Sequence, residues 1–162
     1  IPEPIIQGAG TRIMSLRDGT KKMSKSDPSD FSRITLTDST DLIAKKIQKA
    51  KTDPLNLPNN IDELGERPEA KNLLNIYAAL KNITLAEATE ELQELSFKSF
   101  KSRLIELAVE TLSPISREIN ALQNDQSYID DILKIGSQKA NNLATPILDR
   151  AYEIVGLLST RK

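Results

Sequence analysis

The sequence holds no cysteine, no histidine and no tryptophan. Without cysteine there is no disulfide and no thiolate nucleophile. Without histidine, imidazole acid–base catalysis and His-ligated zinc drop out. Aromatics are scarce, with three Tyr and three Phe in 162 residues, so a core must rest on Leu, Ile and Ala. That composition favours helices packed through aliphatic side chains. No stretch approaches the run of about 18 apolar residues that a membrane span needs. Charge is balanced, 22 basic residues against 23 acidic. The whole chain is therefore no electrostatic magnet for nucleic acid, and contact with RNA has to come from local patches.

What is present is concentrated near the front. Lys21-Lys22-Met23-Ser24-Lys25-Ser26 places three lysines and two hydroxyls within six residues, with Arg17 upstream and Asp27-Pro28-Ser29-Asp30 downstream. Arg12–Leu16 and Arg33–Leu36 read as short strands on either side, and Asp18-Gly19-Thr20 and Asp27-Pro28 are turn chemistry. The expectation is a mobile basic loop between two extended segments at a sheet edge. A lysine ammonium is a hydrated point charge with three donors. Two of them three residues apart, with hydroxyls between and after, can surround a phosphate chain and stabilise charge moving onto a leaving pyrophosphate. The loop can also close over a nucleotide and exclude water. Taken for its charge alone, the same loop reads equally as a solvated basic turn.

Lys22-Met23-Ser24-Lys25-Ser26 matches the KMSKS signature of class I aminoacyl-tRNA synthetases at every position, and Asp27 follows it. With Pro2-Glu3-Pro4, Gly8-Ala9-Gly10-Thr11-Arg12-Ile13-Met14-Ser15-Leu16 and Lys21 through Asp27, the chain resembles the bacterial-type tryptophanyl-tRNA synthetases. The likeness continues through Ile43-Ala44-Lys45-Lys46-Ile47 with Thr52-Asp53, Arg67-Pro68 with Asn72-Leu73-Leu74-Asn75-Ile76, and Ala151-Tyr152-Glu153 to Gly156. It covers nearly all of the chain but only the C-terminal half of such an enzyme.

The resemblance implies a reaction in which ATP, with Mg²⁺, activates tryptophan to tryptophanyl-adenylate and pyrophosphate, followed by transfer to tRNA(Trp). It implies that Lys22, Lys25 and Ser26 are catalytic, holding the triphosphate and stabilising the leaving pyrophosphate. Ser24 and Met23 would complete the ATP contacts, Met23 largely through its backbone, and Ile13 would pack on the adenine ring. Lys21, outside the signature, would only steer. No residue is assigned as a metal ligand. The family's HIGH-type signature contains a histidine, which this sequence lacks. The tryptophan pocket is expected in the missing half, so the chain should be inactive unaided. Ile1-Pro2-Glu3-Pro4, which opens the sequence without Met or a leader pattern, suggests an excised piece of a longer protein. The family is dimeric, and a monomeric piece stays open. Location is expected to be cytoplasmic, with an organellar version as the alternative. Two other readings remain: another class I synthetase, such as the tyrosyl type, and a non-catalytic helical module for RNA or protein contact.

The remainder reads as mainly α. Residues 1–36 would be the end of a Rossmann-like nucleotide-binding domain, a strand-loop-strand remnant, and 37–162 a helical bundle like those that bind an anticodon. Thr37-Asp38-Ser39-Thr40-Asp41 signals a helix start, followed by Leu42, Ile43, Ile47 and Ala50 at helical spacing. Lys45, Lys46, Lys49 and Lys51 on that helix read as a solvated face or as a tRNA-backbone contact. Residues 52–67 read as a loop pinned by Leu55, Leu57 and Ile61. Pro68 would open a helix carrying Leu73, Leu74, Ile76, Tyr77 and Leu80. Thr84-Leu85-Ala86-Glu87 is a capping box for a helix to about Leu95. A long helical stretch over 97–123 contains Pro114, which predicts a kink or a break, and a basic group Lys98, Lys101 and Arg103 near its start. The last helix, from Asn124-Asp125 to Gly156, carries an apolar stripe from Ile129 to Val155 that predicts core packing. Tyr77, Tyr128 and Tyr152 could stack on bases or sit in a core.

Overall fold

A computed structural model describes residues 2–4 and 8–158. The apolar pair Ile5-Ile6 of the sequence lies outside the described residues. Among the described residues five α-helices follow one another: α1 Thr40–Gln48, α2 Pro68–Lys81, α3 Leu85–Leu92, α4 Phe97–Asn124 and α5 Gln126–Val155. Short 3-10 turns occupy Ala9–Thr11, Asp30–Ser32 and Ile61–Glu66. The chain divides into two compact units, residues 1–117 and 118–162.

The helix ends are set by local chemistry. Ser39 caps α1 by accepting from the Leu42 N–H. Pro68 opens α2, and Asn82 closes it in the left-handed region at φ 58°. Thr84 and Glu87 form the reciprocal capping box of α3, each accepting from the other's backbone. Asp125 caps α5 through the Tyr128 N–H, and Gly156 ends it at φ 69°, where glycine carries no Cβ penalty.

The core of the first unit is aliphatic with one aromatic group. Leu16, Ile43 and Ile47 meet Leu64, Leu73, Leu74, Phe100 and Leu104, all buried. Tyr77 and Phe100 pack edge to face with centroids 6.1 Å apart.

Several sequence-based expectations are corrected. No strand forms at 12–16 or 33–36 among the described residues; the first segment makes an isolated antiparallel bridge, Met14 to Lys22. At 33–36 the Asp38 carboxylate takes the Thr35 N–H at 3.0 Å and the Thr35 hydroxyl, so a side chain supplies what a ladder would. The 52–67 loop is pinned by Leu57 and Leu64, whereas Leu55 and Ile61 are exposed. Leu57 exchanges backbone hydrogen bonds with Glu94 and Leu95, which also stops α3 at Leu92. The Arg67 guanidinium grips both oxygens of Asp53 at 2.7 and 3.0 Å. Of the kink or break expected at Pro114, the break does not occur: α4 stays helical through it. The α5 stripe does not form a core: no residue of α5 is buried, and Leu143 is 75% exposed. Within its own unit, the described helical segments besides α5 amount to the last turns of α4. Too little surface is present there to cover a stripe eight turns long.

Candidate active site

The lysine-rich loop begins inside a short antiparallel pairing. The Ser15 N–H donates to the Lys21 carbonyl at 2.8 Å, and the Met23 N–H to the Ile13 carbonyl at 3.1 Å. Met14 and Lys22 are thus a directly opposed, non-hydrogen-bonded pair. The connection between the paired segments is tight. Asp18 accepts from the Thr20 hydroxyl at 2.6 Å and pairs with Lys21 at 3.3 Å. Those partners, the Thr20 hydroxyl first, hold the Asp18 carboxyl down at about 2. Gly19 is buried against the start of α2, where a Cβ would stand 2.5 Å from the Pro68 backbone carbon. Only glycine fits that approach.

Beyond Met23 the chain turns on its serines. The Ser24 and Ser26 hydroxyls are 3.0 Å apart, and the Ser24 oxygen also accepts the Ser26 N–H at 3.3 Å. Lys22 and Lys25 are exposed, and neither makes an ion pair among the described residues. Two uncompensated cations therefore alternate with two hydroxyls on a turn fixed by its own hydrogen bonds. Ile13 and Met23 are half-buried and pack against the core, so each offers part of an apolar edge.

The loop exit is clamped by residues that sequence reasoning missed. The Arg33 guanidinium donates to the Asp27 carbonyl at 3.0 Å and the Ser29 carbonyl at 3.4 Å, and pairs with Asp30 at 3.3 Å. Asp30 is shared with Lys46, whose ammonium stands 3.0 Å from it and 2.7 Å from Asp38. Lys46 is completely buried. Burial pushes the Asp38 carboxyl up, but Lys46 and Thr35 outweigh it and hold it below the ordinary carboxylate value. Lys46 belongs neither to a solvated face nor to one open to RNA. The signal was in the spacing: Ile43, Lys46, Ile47 and Ala50 are one helical stripe.

Asn72 was also missed as a site residue. From α2, its amide nitrogen donates to the Met14 carbonyl and its amide oxygen accepts the Met14 N–H, both at 2.8 Å. The other basic groups divide. Lys101 donates to the Gln48 and Ala50 carbonyls at 3.1 and 2.6 Å, at the C-terminus of α1, and burial lowers its pKa. Lys49 lies over the Phe31 ring at 4.8 Å, and Lys51 pairs with Glu69 at 2.8 Å. Lys45, Lys98 and Arg103 are exposed. Tyr77 is buried, with its hydroxyl bonded to Glu91; Tyr128 is exposed and Tyr152 half-exposed.

Comparison with known proteins points in one direction. A family model, tRNA synthetases class I (W and Y), matches residues 2–113. The tryptophan--tRNA ligase of Mesorhizobium japonicum is 50% identical over 98% of this chain and 44% of its own length. The chain thus spans under half the length of the curated relatives it matches. Tryptophanyl-tRNA synthetase from Mycoplasma pneumoniae superposes with a TM-score of 0.72 at 30% identity, covering 93% of this chain and 47% of that one. The Campylobacter jejuni enzyme, solved with ADP and tryptophan, superposes with a TM-score of 0.65 at 26% identity, covering 90% of this chain and 44% of that one.

Proposed function

This chain belongs to the class I tRNA synthetases of the W and Y type, and on that premise we propose that it is the phosphate-gripping and RNA-facing portion of a tryptophan--tRNA ligase. The whole protein activates tryptophan with ATP and transfers it to tRNA(Trp). Residues 1–36 close its nucleotide-binding domain, and the helices beyond residue 37 meet the tRNA.

The observation that carries this reading is the pair Lys22 and Lys25, both exposed and without a carboxylate partner among the described residues. Charge builds on the leaving pyrophosphate as the α-phosphate passes to the tryptophan carboxylate. Two ammonium groups placed beforehand stabilise that charge more than they stabilise bound ATP, which is how they raise the rate. Ser24, between them, and Ser26, after them, supply hydroxyl donors. The Ile13 side chain and the Met23 backbone orient the adenine. Mg²⁺ would arrive on the nucleotide, held by its phosphate oxygens. When bound, it neutralises phosphate charge.

The test is tryptophan-dependent ATP–pyrophosphate exchange by the full-length protein that contains this sequence. Lys22→Ala and Lys25→Ala should each lower kcat by about 10²-fold or more. Unchanged exchange in both would remove the loop from the mechanism. The 162-residue chain alone should show no exchange.

A further inference from the structure

A cleft of about 610 Å³ opens between the paired segment and α2. Arg12 and Met14 line it from one side, and Lys71 and Asn75 from the other. Lys71 and Asn75 are four residues apart on α2 and so share a face. No carboxylate lines the cleft, and neither Arg12 nor Lys71 makes an ion pair among the described residues. Asp18, the acid closest in sequence to the lining residue Thr20, is already bonded to Thr20 and Lys21.

The cleft lies on a defined side of the loop. Directly opposed residues of an antiparallel pair project to the same face, so Lys22 shares the face of Met14. Arg12, two residues before Met14 and extended at φ −145°, ψ 103°, shares it as well. Ile13 and Met23 project the other way. A nucleotide seated on Ile13 therefore occupies the opposite face.

We propose that this cleft is a second phosphate site, one that takes the phosphodiester backbone of RNA between Arg12 and Lys71. The proposal rests on the ligase reading, which makes RNA a substrate. Two cations set apart on separate elements, with the Asn75 amide beside one of them, match successive single charges along a strand. A compact triphosphate would need its cations gathered at one point.

The experiment measures the Kd of a tRNA(Trp) transcript for the full-length protein across a salt series. It compares the unmodified protein with R12A/K71A, the bulk-preserving R12Q/K71Q and the charge-preserving R12K/K71R. Removing both charges should weaken binding by about tenfold at low salt and flatten the slope of log K against log salt by about 1 to 2. R12K/K71R should bind like the unmodified protein. ATP and inorganic pyrophosphate are titrated in parallel. Binding of tRNA within about twofold of the unmodified value for R12Q/K71Q would overturn the proposal, as would a loss confined to ATP or pyrophosphate. Pyrophosphate exchange by the unmodified protein reports separately on the ligase reading. An exchange-active protein whose tRNA binding ignores both charges refutes the cleft alone.

Discussion

The side-chain amide of Asn72 stands beside Met14 where a third strand would lie, accepting its N–H and donating to its C=O, each at 2.8 Å. Because Met14 and Lys22 are a non-hydrogen-bonded pair, the Met14 backbone groups face away from Lys22 and need partners of their own. A helix side chain provides both. The segment that carries Lys22 is thereby registered against α2 without a sheet.

Asn72→Ala should therefore orphan two part-buried backbone groups of Met14. At about 1–3 kcal/mol per unsatisfied group, a loss of about 2–6 kcal/mol is expected, read by urea unfolding. Asn72→Asp keeps the acceptor but loses the donor to Met14 and should fall between. A loss under about 1 kcal/mol in the alanine variant would mean that the amide adds little.

Gly19→Ala should destabilise through contact rather than backbone angle. The added carbon would meet the Pro68 carbonyl carbon at 2.5 Å and the Glu69 nitrogen at 2.6 Å, both backbone atoms at the start of α2. Accommodating it by a backbone shift should cost about 1–3 kcal/mol. Thermal unfolding of the variant checks this, and an unchanged melting temperature would contradict it.

Lys46→Met should be among the most damaging single changes in the first unit. It leaves Asp38 buried without its cation, and breaking a buried pair from one side costs about 3–5 kcal/mol. Adding Asp38→Asn to the same chain removes the stranded charge and should restore part of the loss. Denaturant titration of the two single variants and the double gives the coupling directly.

Stability should also fall in acid, with a direction set by Asp38. Its folded pKa is lowered, so its contribution is complete above the unfolded value of about 3.9 and is lost as pH drops below that toward the folded value. Melting curves from neutral pH downward should stay flat to about pH 5 and then decline. In Asp38→Asn the decline should be shallower; equal slopes would assign the acid sensitivity to other carboxylates.

The sequence made most helix ends legible, because their signals are local. The Ser39, Thr84 and Asp125 caps, Pro68 and Gly156 each act within a few residues. What stayed hidden was long-range pairing. Lys46 sits in an apolar stripe, but a lysine there reads as solvated until Asp30 and Asp38 are seen to converge on it. Asn72 lies 58 positions from Met14, and no periodicity announces an amide that substitutes for a strand. The alternation Arg33-Ile34-Thr35-Leu36 imitates a strand, yet Arg33 is drawn to the loop exit and Thr35 to Asp38. On α5 the periodicity marks an apolar face but predicts a core that does not form, since periodicity identifies a face and not what covers it.

Asp30 ties the loop exit to an ammonium that water does not reach. Dissolved ions screen exposed charges over about 10 Å at 0.1 M but act far less on buried ones. Rising ionic strength should therefore loosen the hold of Lys22 and Lys25 on any anion while the exit stays moored to α1 through Lys46. A protein stripped of its phosphate ligand by salt would keep the loop's foundation intact, ready to rebind when the salt is diluted.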